Sequence, residues 1–189
     1  AAAAWHELGG GIGGVGGVPA IDWQVWSLAI DASGALLVGG YFPVAGAVPV
    51  GNFARWDGAA WSAFGTGFDY EVTAIEVAPN GDVFVGGYFT IAGGTPGRRV
   101  ARWNGVAWTP LDTSPGPHQG AVHALELLGN GDLVVGGTFD VIGGVSTGGL
   151  ARWSAGTWQP FTPAVFVIAS GGVRAVLEVA NGDLVVAGG

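Results

Sequence analysis

The stretch Asp82–Trp108, DVFVGGYFTIAGGTPGRRVARWNGVAW, decides the fold, because its parts return elsewhere in the chain. An apolar run closed by a glycine pair ends at Gly40, Gly87, Gly137 and Gly189, so the period is about 47 to 52 residues. A second string follows the first three pairs: ARWDGAAW at Ala54–Trp61, ARWNGVAW at Ala101–Trp108 and ARWSAGTW at Ala151–Trp158. A period of this length marks a repeat architecture, in which each unit buries its apolar face only against a neighbour.

The unit reads as four short antiparallel strands. Val72–Val77 is apolar-rich and runs into Asn80-Gly81, a strong hairpin signal because both central positions require positive φ. Asp82–Phe89 is the second strand, and a Gly- and Pro-rich loop spans Thr90–Arg99. Val100–Trp103, the turn Asn104-Gly105 and Ala107–Leu111 complete the unit. Four strands in some 40 to 50 residues is the pattern of a β-propeller blade. The expected fold is therefore all-β, a propeller of four-stranded antiparallel blades. A parallel β-helix would need shorter coils and no paired tight turns.

Three units are complete, at 24–64, 71–111 and 121–161. A fourth is split: WHEL at 5–8 matches an outermost strand, and 172–189 supplies two inner strands without the ARW strand between. The single domain 1–189 is thus expected to be a segment of a longer propeller, with further blades or another protein chain against its open edges.

Composition narrows the function. Charged residues are 11% of the chain, far below the roughly 25% of ordinary domains, and the net charge is −8 with six arginines and no lysine. That leaves no footprint for a phosphate backbone, so nucleic acid is excluded as a partner. No apolar run approaches the length that spans a bilayer, so membrane insertion is excluded too. The chain has no cysteine, and no lone serine stands in a nucleophile-elbow context. His6, His118 and His123 form no spaced metal pair. The Asn-Gly-Asp turns offer one carboxylate per blade, too few to surround calcium. The glycine run Gly9–Gly17 lacks the Lys-Ser/Thr of a phosphate loop and reads as a connector. No cofactor and no catalytic or metal residue is expected.

The glycine pair with a spaced aromatic pair, as in Gly86-Gly87 with Trp103 and Trp108, resembles the kelch repeat. Trp56, Trp103 and Trp153 stand where kelch has tyrosine. The fuller string G-G-x-F…A-R-W-x-G-x-x-W is similar to tandem propeller repeats in secreted and cell-surface proteins of high-GC bacteria. The hairpin Asp57–Trp61 resembles the Asp-box of sialidase-type propellers in that copy alone. The resemblance implies a propeller in an extracellular or cell-surface setting, with the periplasm as the other compartment. Kelch-like propellers serve as enzymes, adhesins and scaffolds.

Repetition assigns structural roles first. Trp56, Trp61, Trp103, Trp108, Trp153 and Trp158 recur at fixed spacing, which argues for packing between blades. Trp23 and Trp26 fall outside that pattern and are the better candidates for a surface role, although the core is the first expectation for each. Arg55, Arg102 and Arg152 recur before tryptophan, while Asp82, Asp132 and Asp183, with Glu76, Glu126 and Glu178, recur on the first two strands. The first unit has Ala35 and Ala29 instead, so the expected partner of each arginine is an acid of the following blade, such as Asp82 or Glu76 for Arg55. Binding residues are sought on the face of variable loops, where Tyr70, Arg98, Arg99, His118 and Asp140 are the non-repeated candidates. The leading expectation is a non-enzymatic scaffold or binding module; the alternative is a carbohydrate-active or lectin-like propeller. Convergence of two among Asp22, Asp69, Glu71, Asp112 and Asp140 would favour the hydrolase, and a glycan is a candidate ligand.

Overall fold

The computed structural model describes residues 24–115, 120–161 and 171–189. The split strand expected at 5–8, Asp22, Trp23 and His118 lie outside those residues. Blade 1 comprises β1 (Gln24–Ile30), β2 (Leu36–Tyr41), β3 (Val44–Ala45), β4 (Val48–Pro49), β5 (Phe53–Trp56) and β6 (Trp61–Ala63). Blade 2 comprises β7 (Val72–Val77), β8 (Val83–Gly87), β9 (Ile91–Ala92), β10 (Thr95–Pro96), β11 (Val100–Trp103) and β12 (Trp108–Pro110). Blade 3 comprises β13 (Val122–Leu127), β14 (Leu133–Gly137), β15 (Val141–Ile142), β16 (Val145–Ser146), β17 (Leu150–Ser154) and β18 (Thr157–Pro160). A fourth unit holds β19 (Val173–Glu178) and β20 (Leu184–Gly188).

Each of the first three blades is a four-stranded antiparallel sheet, ordered β1-β2-β5-β6, β7-β8-β11-β12 and β13-β14-β17-β18, and β19-β20 form a two-stranded sheet. The chain is all-β and built as a propeller of four-stranded blades. The second-to-third-strand loops, read from sequence as irregular, each carry a miniature antiparallel ribbon: β3-β4, β9-β10 and β15-β16. Two residues per strand suffice because a glycine-bearing turn closes each ribbon with positive φ at Gly46, Gly93 and Gly143.

The core lies between sheets. One buried cluster joins Leu37 and Phe53 of blade 1 to Val72, Val85 and Trp108 of blade 2. A second joins Phe84 and Val100 of blade 2 to Val122, Val135 and Trp158 of blade 3. A third carries Val134 and Leu150 to Val173 and Val176 of the fourth unit. Because both faces of a central blade are covered, β8 and β14 are buried along their whole length, which explains their continuous apolar runs.

The glycine pair has two separate causes. A Cβ on the first glycine would meet the valine that opens the next blade: 2.7 Å from Val72 Cγ1 at Gly39, 2.3 Å from Val122 Cγ1 at Gly86 and 2.4 Å from Val173 Cγ1 at Gly136. A Cβ on the second would strike a carbonyl oxygen of its own blade, 2.0 Å from Gln24 O at Gly40 and from Glu71 O at Gly87. The first glycine therefore admits the neighbouring blade, and the second admits the blade's own first strand. The pairing register also corrects the sequence alignment of the last pair. Val173 lies opposite Gly188, as Val122 lies opposite Gly137, so Ala187 takes the place of Gly136. The same register sets Leu177, and not Glu178, at the place of Glu126.

The arginines also depart from expectation, since their partners lie within the blade. Arg102 reaches Asp82 at 2.6 Å, Arg152 reaches Asp132 at 3.7 Å, and Arg55 reaches Asp31 at 2.7 Å. The physical reason is the ladder: Arg102 faces Phe84 across β11-β8, one pair from the start of β8, so Asp82 lies diagonally within reach. Blade 1 keeps the arrangement by moving its acid to Asp31, whose carboxylate also accepts the backbone N–H groups of Ser33 and Ala35. Burial alone would raise the Asp31 carboxyl, but the hydrogen bonds from Ser33 and Arg55 outweigh it and hold the group well below its usual value. Asp183 has Asn181 as its side-chain partner.

Candidate functional site

The first strand of every unit carries the same irregularity. The register slips between Val25 and Ser27, Val72 and Ala74, Val122 and Ala124, and Val173 and Ala175. The residue left over at each slip is a β-bulge: Trp26, Thr73, His123 and Arg174. A bulged residue is released from the ladder and its side chain is re-aimed, which is why bulges recur beside binding sites. Here the frame on either side repeats as Val-x-Ala, with Ser27 in blade 1, while the bulged place differs in all four units.

Those four side chains meet. Trp26, Thr73, His123 and Arg174, with Glu71 and Tyr88, line one cleft of about 260 Å³ at the ends of the four first strands. Its wall extends into an aromatic arc. Tyr41 and Tyr70 have ring centroids 5.6 Å apart, Tyr70 and Tyr88 6.4 Å, and Tyr88 and His123 5.7 Å. All three tyrosines of the chain stand in this arc. Trp26 is 53% exposed, and the three tyrosines are also exposed.

The electrostatics divide the cleft. The Arg174 side chain has no ion pair or hydrogen bond with any described residue, whereas Arg55, Arg99, Arg102 and Arg152 all face acids. Burial lowers the His123 imidazole, and the nearby Arg174 charge lowers it further, so the ring is neutral at pH 7. Its Nε2 lies 3.5 Å from Thr138 Oγ1. The Glu71 carboxyl is raised by burial alone. Thr73 Oγ1 donates to Val122 O, which ties β7 to β13 beneath the cleft.

Of the acids weighed for hydrolysis, Asp22 lies outside the described residues, and of the others only Glu71 lines the cleft. Asp69 accepts Thr90 N at 2.7 Å, Ile91 N at 2.9 Å and Thr90 Oγ1 at 2.6 Å, which docks its loop on the blade 2 ribbon. Asp112, fully buried, pairs with Arg99 at 2.7 Å and accepts Ser114 N, Ser114 Oγ and Gly143 N. Asp140 is exposed, and its carbonyl holds Thr147 N. Among the described residues that line the cleft, Glu71 is the only carboxylate.

The loop candidates divide likewise. Tyr70 belongs to the aromatic arc. Arg98 borders a separate open groove with Thr90 and Pro115. Arg99 is corrected: it is buried, and its guanidinium also sits 5.9 Å from the Phe139 ring centroid in the next blade. Its place before the third strand has positive φ, 59°, as does Asn52 at 70°, and both side chains turn inward to tie loops together. The repeated tryptophans also connect blades. Trp108 Nε1 donates to Phe64 O at 3.1 Å, and Trp158 Nε1 to Leu111 O at 2.8 Å, each an acceptor in the preceding blade. Trp61, Trp108 and Trp158 are buried, and Trp56, Trp103 and Trp153, half-buried, pack their rings against them.

Sequence reading missed Thr73, Arg174 and the joint role of His123. The available signal was the lone variable place inside the Val-x-Ala string, which periodicity presents as ordinary strand.

No protein-family model and no curated protein matches the chain. Solved structures do. The extracellular domain of BT4673 from B. thetaiotaomicron, assigned to a hybrid two-component system, superposes with a TM-score of 0.54 at 12% identity, over 91% of this chain and 21% of that one. Another structure of the BT4673 extracellular domain, assigned there to a one-component system, gives 0.41 at 11% identity, over 89% of this chain and 27% of that one. The chain spans about a fifth of the length of the first of these, 21%. The first likeness agrees with the all-β sheet architecture.

Proposed function

We propose that this protein is a non-enzymatic binding module of an extracellular or cell-surface assembly, and that its ligand enters the cleft at the ends of the first strands. One observation carries the reading. In a chain whose tryptophans, glycines and arginines repeat, the four bulged places hold Trp26, Thr73, His123 and Arg174, and these line a single cleft. A scaffold needs one solution four times over; a ligand needs different groups around it. An extracellular domain as structural neighbour supports the setting.

A lectin-like reading draws support from the exposed rings of Trp26, Tyr70 and Tyr88, whereas a hydrolytic one lacks a second acid at the cleft among the described residues. The apolar residues exposed on blade 1 support a partner. Val25 is 45% exposed where its equivalents Val72 and Val122 are fully buried by a preceding blade, and Leu28 and Ile30 are exposed beside it. A further repeat unit ending its second strand in Gly-Gly would cover that face as blade 1 covers Val72. The β19-β20 sheet, with Ala187 in the glycine place, offers no such notch.

A thermal-shift screen of sugars, amino acids and nucleosides tests the reading. A ligand that stabilises the protein is expected to lose its effect in Trp26→Ala and His123→Ala. A ligand indifferent to both substitutions contradicts the site.

A further inference from the structure

Resting on the cleft proposed above, the geometry points to a zwitterionic ligand of the amino-acid or dipeptide class, its carboxylate on Arg174 and its ammonium between Glu71 and the aromatic wall. Two charged side chains stand unpaired in the cleft. Arg174 and Glu71 line the same cleft, carry opposite signs, and neither has a side-chain hydrogen bond or ion pair with a described residue. They are not partners of one another. The charge of Arg174 acts on His123, whereas Glu71 responds to burial alone. The cleft is therefore dipolar, with a cationic end on β19 beside His123 and an acidic end on the chain leading into β7.

A guanidinium with its fork exposed is suited to a carboxylate, which it binds through two parallel hydrogen bonds. At the other end Glu71 follows Tyr70 directly and lies with Tyr88, so a cation drawn to the carboxylate also meets ring faces. Aromatic walls around an ammonium add cation–π attraction, stronger where water is excluded. Thr73 and neutral His123, between the ends, supply polar groups that orient without adding charge. A neutral sugar would use the rings and leave both charges uncompensated. A simple anion would use Arg174, but the chain's net charge of −8 works against its approach. A molecule with both charges and no net charge meets neither objection, and about 260 Å³ accommodates one of that size.

The test is isothermal titration of the intact protein with the common L-amino acids and their glycine dipeptides, alongside glucose, galactose and glucuronate. Zwitterions should bind, and blocking either end, by N-acetylation or C-amidation, should weaken binding by about tenfold or more, as expected for a charge-assisted contact. Arg174→Gln should abolish the discrimination against C-amides and Glu71→Gln the discrimination against N-acetyl forms, with unchanged circular dichroism showing that both variants fold. Binding of glucose, galactose or glucuronate in preference to every amino acid, sensitive to Trp26→Phe, overturns the zwitterion and keeps the cleft. No response to any member of the set overturns both.

Discussion

Val122 Cγ1 lies 2.3 Å from where a Cβ on Gly86 would stand, although the two residues belong to different blades. Gly86→Ala should therefore force blades 2 and 3 apart and destabilise by about 1–3 kcal/mol, the usual range for overpacking. Val122→Ala removes the obstructing methyls, so the double variant should recover part of that loss in urea denaturation. Additive losses would show that the glycine serves only the backbone. Gly87→Ala meets the Glu71 carbonyl oxygen instead, and no side-chain truncation should rescue it.

Asp112 is fully buried against Arg99 and receives the Gly143 N–H of the next blade. Removing one charge of such a pair typically costs about 3–5 kcal/mol, because the other is left uncompensated. Asp112→Asn should accordingly lower the Tm far more than Asp82→Asn, whose partner Arg102 is 45% exposed and whose pair contributes at most about 1 kcal/mol. Equal losses in the two variants would refute the ranking.

A coupling experiment separates the two arginine schemes. A double-mutant cycle on Arg102 and Asp82 should show positive coupling, and one on Arg55 and Asp82 should show none. Coupling between Arg55 and Asp82 would restore pairing across blades.

These contrasts also show what the sequence reveals. Strand order within each of the three four-stranded blades follows from the tight turns and the ARW strings, because turn chemistry and period are local. The Arg102–Asp82 pair was misassigned because Ala35 suggested an unpaired Arg55, whereas Asp31 reaches the same place from four residues earlier. The cleft stayed hidden for a related reason: a bulge moves one residue out of register, and Val72-Thr73-Ala74 reads the same with or without it.

Glu76 is raised to about 7, first by burial and then by the neighbouring charge of Glu126. An acid whose folded pKa exceeds its usual 4.5 binds more protons in the folded state. Its contribution to stability is thus fully present below pH 4.5 and is lost as pH rises through about 7. Glu76→Gln should match the wild type near pH 4 and exceed it in Tm above pH 8. Glu126→Gln should move the transition of Glu76 downward. A Glu76→Gln difference independent of pH would contradict this assignment.

Trp108 Nε1 joins blade 2 to Phe64 O of blade 1. Trp108→Phe keeps an aromatic ring but leaves the partly buried Phe64 O with only the longer bond from Gly67 N, at a cost of about 0.5–1.5 kcal/mol measured by denaturation. An unchanged midpoint would show that the indole acts through its area alone.

If the four bulged residues form the binding site, they should respond to a ligand as one group. Amide chemical-shift mapping, with any ligand the protein retains, tests it most directly. The largest perturbations should fall at Trp26, Thr73, His123 and Arg174 together. Perturbations confined to the ribbons β3-β4, β9-β10 and β15-β16, or to the Asn-Gly turns at the other end of the strands, would contradict it.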